Sequence, residues 1–317
     1  MYFCASQFQP YLRMKKILLS LSLAIIASAL SFSSFSQCRH HATCQAIAGR
    51  QISAPFDTIL SESAEGTLGD ISVPSRHIVS PAKITVALPA GYSDNDSDRY
   101  PVLYLLNGHG GNNRTWSSFT NLDSLATAFR TIIVCPDGRN SWYWDSPIDS
   151  TMQMESYITS ELIPFIDRHF ATRADRNGRA ITGLSMGGHG GLWLGFRHKD
   201  LFANCGSTSG GVDIRPFPKN WNMADRLGAL KDNPKRWDEH TVINLVPTLK
   251  PGELNIIFDC GTEDFFFTVN NNLDHTLSER SIPHTYLTSP GSHNAKYWRK
   301  SIIPQLRFFH SHFYPAK

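Results

Sequence analysis

The sequence predicts an α/β protein, with a mainly parallel central sheet and helices on both faces. Two observations lead there. Short aliphatic or β-branched runs alternate with stretches of helical period, and each run ends in a Gly-rich or polar loop. No internal repeat, long linker or charge block interrupts that rhythm. Strands alternating with helices imply right-handed crossovers, hence parallel strands covered from both sides.

Taken in order, residues 84–88 and 102–106 read as the first clear strands, with Arg99 and Pro101 punctuating the entry to the second. Residues 131–135 form another, ended by Pro136, Asp137 and Gly138. Across 152–170 the apolar residues Ile158, Leu162, Ile163 and Ile166 fall at helical spacing. A strand at 179–182 turns sharply into a helix at 186–196. Strands at 202–208, 254–259 and 285–288 follow, and a final helix covers 295–309. These elements suit one domain running from residue 51 to 317. Residues 212–247 break the rhythm: the segment is long and polar, with Pro216, Pro218, Trp221, Pro234 and Trp237. An insertion of that length is expected to act as a cap or a substrate-binding element.

Composition narrows the partners. Of 317 residues, 41% are hydrophobic and 18% charged, a balance that buries a core and excludes disorder. The net charge is +3 with Lys and Arg scattered, so no basic stripe marks a nucleic-acid partner.

Lys15 and Lys16 precede an apolar run at 17–30 and a Ser-rich stretch at 31–36. That is the layout of a cleaved secretory signal over residues 1–36, with translation starting at Met1 or Met14. The run is short for a membrane span, so stable membrane insertion is not expected. The expected address is extracellular or periplasmic. Cys38 sits near the cleavage point, but Phe35 stands where a lipoprotein signal usually has Leu. Residues 37–50 read as a mobile leader in which Cys38 and Cys44 carry no assigned role. Cys135, Cys205 and Cys260 fall in or beside strands and read as small buried hydrophobes.

The chemistry concentrates at Gly183-Leu184-Ser185-Met186-Gly187, a Gly-x-Ser-x-Gly turn between a strand and a helix. Both glycines are required, because an abrupt strand-to-helix turn strains the Ser backbone and tolerates only hydrogen beside it. Gly188, Gly190 and Gly191 would let the helix pack closely on the sheet. The Met186 amide opens that helix, where unpaired donors and the macrodipole favour an oxyanion. A second donor belongs to the loop after the third strand, at Asn107 to Gly111. The His109 amide is the first choice and Gly110 the alternative.

A nucleophile turn of this kind is followed along the chain by an acid and then a His. The order leaves His275, His284, His293, His310 and His312 as bases. Only His293 lies in a loop after the last strand and before the last helix, where a base reaches a Ser hydroxyl. For the acid, Asp264 beyond the Gly261-Thr262-Glu263 turn ranks first and Asp259 second.

Together these residues resemble the branch of α/β hydrolases that includes S-formylglutathione hydrolases, feruloyl esterases and mycolyltransferase-like antigens. The likeness is nearest to the tributyrin-esterase type. It rests on residues 100–106, 107–111, 140–144, 161–167, 183–191 and 260–264. The resemblance implies an α/β-hydrolase fold with a cap-like insertion, Asp264 as acid and His293 as base. It also implies a serine carboxylesterase that cleaves short-chain acyl, acetyl or feruloyl esters through an acyl-Ser185, with no metal and no organic cofactor. The substrate would be a small-molecule or carbohydrate ester. Trp142, Tyr143, Trp144 and Trp221 are candidates for stacking on it. Alternatives are acyl transfer to a carbohydrate, a thioesterase of the S-formylglutathione hydrolase type, and an inactive hydrolase fold used as a binding module. An intact Ser, Asp, His set in correct chain order argues against the last. One departure from the family pattern stands out: Asn107-Gly108 replaces the usual His-Gly after the third strand.

Overall fold

A computed structural model describes residues 66–79, 81–94 and 99–316. The expected signal segment, the leader and the pair Cys38 and Cys44 lie outside the described residues. Residues Ser63–Lys317 make one compact unit.

The strands are β1 (Gly66–Val73), β2 (Ala82–Leu88), β3 (Val102–Leu106), β4 (Ile132–Pro136), β5 (Arg179–Gly183), β6 (Asn204–Thr208), β7 (Asn255–Gly261) and β8 (Thr285–Ser289). They form one sheet in the order β1-β2-β4-β3-β5-β6-β7-β8. β1 and β2 pair antiparallel, as do β2 and β4, while every pairing from β4 to β8 is parallel. Every residue of β3, β4, β5 and β6 is buried, as expected of strands covered on both faces. β1 departs from this: it alternates, carries polar residues, and its register shifts between Leu68 and Ile71. Gly66, Gly69 and Asp70 break its apolar run, so the pattern that revealed the other strands is absent here.

The helices are α1 (Leu122–Ala128), α2, α3 (Met186–Arg197), α4 (Ala224–Leu227), α5 (Pro234–Glu239), α6 (Phe267–Glu279) and α7 (Ala295–Phe313). α2 is a continuous run of Met154–Ser156, a π-helical turn Tyr157–Leu162, and Ile163–His169. Pro164 has no N–H for the carbonyl four residues back, and its ring crowds that carbonyl; widening the preceding turn accommodates it. On one face of the sheet, Leu103, Leu105, Ile133 and Ala180 pack with Leu122 and Leu125 of α1 and Ile302, Leu306 and Phe309 of α7. Alternation puts Tyr104 on the opposite face, edge-on to Phe202. Cys135, Cys205 and Cys260 are buried free thiols, and Cys135 belongs to this cluster. The insertion at 212–247 folds into α4, α5 and the start of a 3-10 stretch at Val242–Thr248. Buried Trp237 anchors it, its indole N–H donating to the Gly228 carbonyl at 2.8 Å. Among the described residues, no helix is long and apolar enough to cross a membrane.

Candidate active site

The parallel strands deliver their loops to one edge of the sheet, and the site is assembled from the loops after β3, β4, β5, β7 and β8. Ser185 sits between β5 and α3 with φ 57° and ψ −116°, a conformation L-residues rarely adopt. Its amide donates to the Thr208 carbonyl at 3.0 Å and its carbonyl accepts from the His189 amide at 3.0 Å, which hold the strained turn. The flanking glycines are obligatory for space. A Cβ on Gly183 would lie 2.6 Å from the Leu106 carbonyl oxygen, and one on Gly187 would lie 2.5 Å from it.

His293 Nε2 stands 2.9 Å from Ser185 Oγ, and its Nδ1 stands 2.8 Å from Asp264 Oδ2. The Asp264 side chain is fully buried and also accepts the Phe266 amide at 2.9 Å. With Nδ1–H donating to a carboxylate, the Nε2 lone pair faces the hydroxyl, the tautomer a general base requires. Asn294, not His293, caps α7, its side chain accepting the Tyr297 amide. The second-ranked acid is engaged elsewhere: Asp259 accepts from Thr208 Oγ1 at 2.5 Å and Gln305 Nε2 at 2.6 Å. Burial pushes its carboxyl up to about 6.

The loop after β3 presses against the nucleophile, since a Cβ on Gly108 would lie 2.6 Å from Leu184 Cδ1 and 3.3 Å from Ser185 Cβ. Among the described residues, the amides of Met186 and His109 have no acceptor. Gly110 is different. Its amide already donates to Asn140 Oδ1 at 2.7 Å, so the alternative donor named from sequence is engaged. Asn107, where the resemblance leads to an expectation of His, is buried and knits the loops together. Its Oδ1 accepts the Gly138 amide at 2.8 Å and the Tyr143 hydroxyl at 3.1 Å, while its Nδ2 donates to the Gly108 carbonyl at 2.9 Å.

The aromatic residues expected to stack on a ligand need correction. Trp142 is 1% exposed and Trp144 fully buried, stacked on each other with centroids 5.6 Å apart. Trp144 Nε1 donates to His189 Nε2 at 2.8 Å, and His189 Nδ1–H donates to the Gly211 carbonyl at 3.0 Å. Rings buried this way are core, out of a ligand's reach. Trp221 is half-buried and stacks on Phe265 at 5.5 Å. Phe265 is 50% exposed and lies 4.2 Å from the His293 ring, a residue the sequence reading overlooked. Its signal was present: it directly follows Asp264 in an Asp-Phe-Phe-Phe run. Among the described residues, no group of three His, Cys, Asp or Glu side chains is placed to hold a metal.

A hydroxyl, a base and a buried carboxylate in series beside two unpaired amides suit attack on a carbonyl and stabilisation of the resulting oxyanion. The family described as "Putative esterase" matches residues 75–309. The chain belongs to that family. It is 29% identical over 239 residues to a protein named Esterase Rv1288 from Mycobacterium tuberculosis, covering 66% of this chain and 52% of that one. The chain thus spans about half the length of that curated relative. An acetyl esterase of Caldicellulosiruptor saccharolyticus is 26% identical over 223 residues, covering 66% of this chain and 83% of the relative. Among solved structures, a ferulic acid esterase superposes with a TM-score of 0.68 at 25% identity, covering 78% of this chain and 98% of its own. The central sheet and its helices are those of an α/β hydrolase.

Proposed function

We propose that the protein is a serine carboxylesterase that hydrolyses short-chain acyl, acetyl or feruloyl esters through an acyl-Ser185 intermediate. One observation carries the reading: His293 bridges Ser185 Oγ at 2.9 Å and buried Asp264 at 2.8 Å. In the first half-reaction Ser185 Oγ bonds to the ester carbonyl carbon and its proton passes to His293 Nε2. The oxyanion rests on the Met186 and His109 amides. The C–O bond then breaks and the alcohol leaves with the proton from His293. Water repeats the sequence in reverse roles and frees the acid. The named activities of the acetyl and ferulic acid esterase relatives support the choice of acyl group. The exposed Phe265, stacked on Trp221 beside the base, is the aromatic surface such a substrate would meet. The Lys15-Lys16 pair and the apolar run behind it support action outside the cytoplasm.

A series of p-nitrophenyl esters from acetate to palmitate, with methyl ferulate, tests the reading on wild type and Ser185→Ala. Wild type should turn over acetyl to butyryl esters with the highest kcat/KM, because a longer chain gains about 0.8 kcal/mol per methylene only where the site can bury it, and methylenes left in water gain nothing. Ser185→Ala should lose nearly all activity, and a serine-directed phosphonate should label Ser185 alone. Activity that rises beyond octanoate removes the short-chain reading, and turnover in Ser185→Ala removes the mechanism.

A further inference from the structure

The loop after β3 offers its His109 amide to the oxyanion, and Asn107 anchors the start of the turn that carries it through the Gly108 carbonyl. Gly111 N–H donates to the Gly108 carbonyl at 3.0 Å, closing a turn whose third residue, Gly110, has φ +75°. A turn with a positive-φ glycine there has a central peptide that can rotate between orientations, because glycine imposes no barrier on either side. In this protein that central N–H is captured by Asn140 Oδ1, from the loop after β4, at 2.7 Å.

Asn140 is in turn held by the insertion. Arg226 Nε donates to the Asn140 carbonyl at 3.3 Å, Arg226 Nη1 donates to Asp149 Oδ2 at 2.7 Å, and Ser146 Oγ donates to the Arg226 carbonyl at 2.7 Å. The Arg226 side chain is 18% exposed, so these bonds are largely shielded from water. A second grip comes from the same insertion: Asn222 Oδ1 lies 3.2 Å from His109 Nε2, and Asn222 Nδ2 donates to Asp225 Oδ2 at 3.0 Å. The turn is therefore gripped from the loop after β4 and from the segment around α4.

We propose that Asn140 is a positioning residue for the oxyanion turn and that Arg226 of the insertion acts through it. The insertion then does more than border the site: by helping to hold the Gly110 peptide it restrains the neighbouring His109 amide, one of the two donors that meet the developing charge. A preorganised donor assists the transition state only if its direction is set before the charge appears. Loss of the grip should therefore appear in kcat and leave ground-state binding alone. The inference rests on the proposed acyl-transfer chemistry, but the state of the Gly110 amide can be read without it.

The test uses the full chain with Asn140→Ala, Arg226→Met and the double variant. Hydrogen exchange should show the Gly110 amide losing protection in Asn140→Ala while the β-sheet amides keep theirs. On p-nitrophenyl acetate, Asn140→Ala should lower kcat about 10- to 100-fold, less than the roughly 10²–10³ of removing an oxyanion donor outright, with KM within about twofold. Affinity for a trifluoromethyl ketone, whose hemiketal oxygen occupies the oxyanion position, should fall by the same factor. Arg226→Met should lower kcat about 3- to 10-fold alone and add little in the Asn140→Ala background, because residues acting through one contact are not additive. Unchanged Gly110 exchange, a loss confined to KM, an unchanged ketone affinity, or effects that multiply would each overturn the assignment. A wild type that cleaves no ester defeats the proposed function instead, while the Gly110 exchange still decides whether Asn140 holds the turn.

Discussion

The loop after β4 carries Trp142, Tyr143 and Trp144, and the loop after β7 carries Phe265 and Phe266 and leads into α6 at Phe267. Both leave the same edge of the sheet. In the first, all three rings are at most 1% exposed; in the second, Phe265 is 50% exposed beside His293 while Phe266 turns inward. Backbone conformation separates them. Arg139, Trp142 and Tyr143 all have positive φ, at 50°, 57° and 63°, which folds the rings back beneath the loop. Each such residue costs on the order of 1–3 kcal/mol and persists only where surrounding contacts over-determine it. Those contacts are visible. A Cβ on Gly190 of α3 would lie 2.3 Å from Tyr143 Cδ2, and one on Gly138 would lie 2.1 Å from its hydroxyl. The glycine in the nucleophile helix thus makes room for a tyrosine from another loop. Gly188 and Gly191 do face the sheet, against Ser207 and the Gly206 carbonyl. After β7 the chain is not folded back, and its first aromatic residue stays at the surface. Aromatic runs in equivalent loops therefore serve different ends: one braces the site and the other borders it.

The contrast can be broken most sharply at Asp264, which directly precedes Phe265 in the β7 loop. Asp264→Asn should lower kcat by about three to four orders of magnitude, because the imidazole loses the acceptor that sets its tautomer. Asp259→Asn should cost far less in catalysis. Steady-state kinetics with both variants checks this, and reversed effects would mean that the β7 loop does not carry the acid.

Stability separates the two loops next. Trp144→Ala should destabilise the fold by about 3–5 kcal/mol, as expected for emptying a buried aromatic site. Phe265→Ala should stay within about 0.5 kcal/mol, as for an exposed side chain, yet alter kcat/KM for aromatic esters. Urea unfolding of the two variants beside kinetics on methyl ferulate makes the comparison. Equal destabilisation would erase the distinction.

The smallest effect concerns acid. His189, which accepts the Trp144 N–H, is pushed down to about 3, chiefly by burial. The unfolded chain takes up this proton near pH 6.5 while the folded chain resists it, so stability falls as pH drops below 6.5. At about 1.4 kcal/mol per pH unit, the brace around Trp144 should lose roughly 2 kcal/mol between pH 6.5 and 5. Urea midpoints at the two pH values, for wild type and His189→Gln, should show that slope and its loss. An unchanged slope would place the acid sensitivity elsewhere.

Much of the fold was readable from local pattern. The buried strands β3 and β4 announce themselves as aliphatic runs, and the Gly183–Gly187 turn shows its purpose because only hydrogen fits beside such a bend. β1 escaped, since glycines and Asp70 remove the periodicity of an edge strand. His293 was reachable by chain order and loop position alone. Asp264 and Asp259 remained ranked candidates, because a strand and its following loop bring both carboxylates to within a few residues. Which one meets the imidazole depends on the partners that take the other, Thr208 and Gln305.

The sequence by itself determined the alternating α/β architecture, the Gly183–Gly187 turn and the loop that holds His293. All three depend on spacing among near neighbours, where periodicity and glycine leave direct traces. Only the tertiary structure decided which aromatic rings are buried, which loop amides remain unpaired, and what the insertion grips. Those outcomes depend on pairs far apart in the chain: Gly110 with Asn140, Asn140 with Arg226, and Gly190 with Tyr143. The sign of a loop φ and the partner of an amide are set by such pairs, and a one-dimensional pattern carries neither.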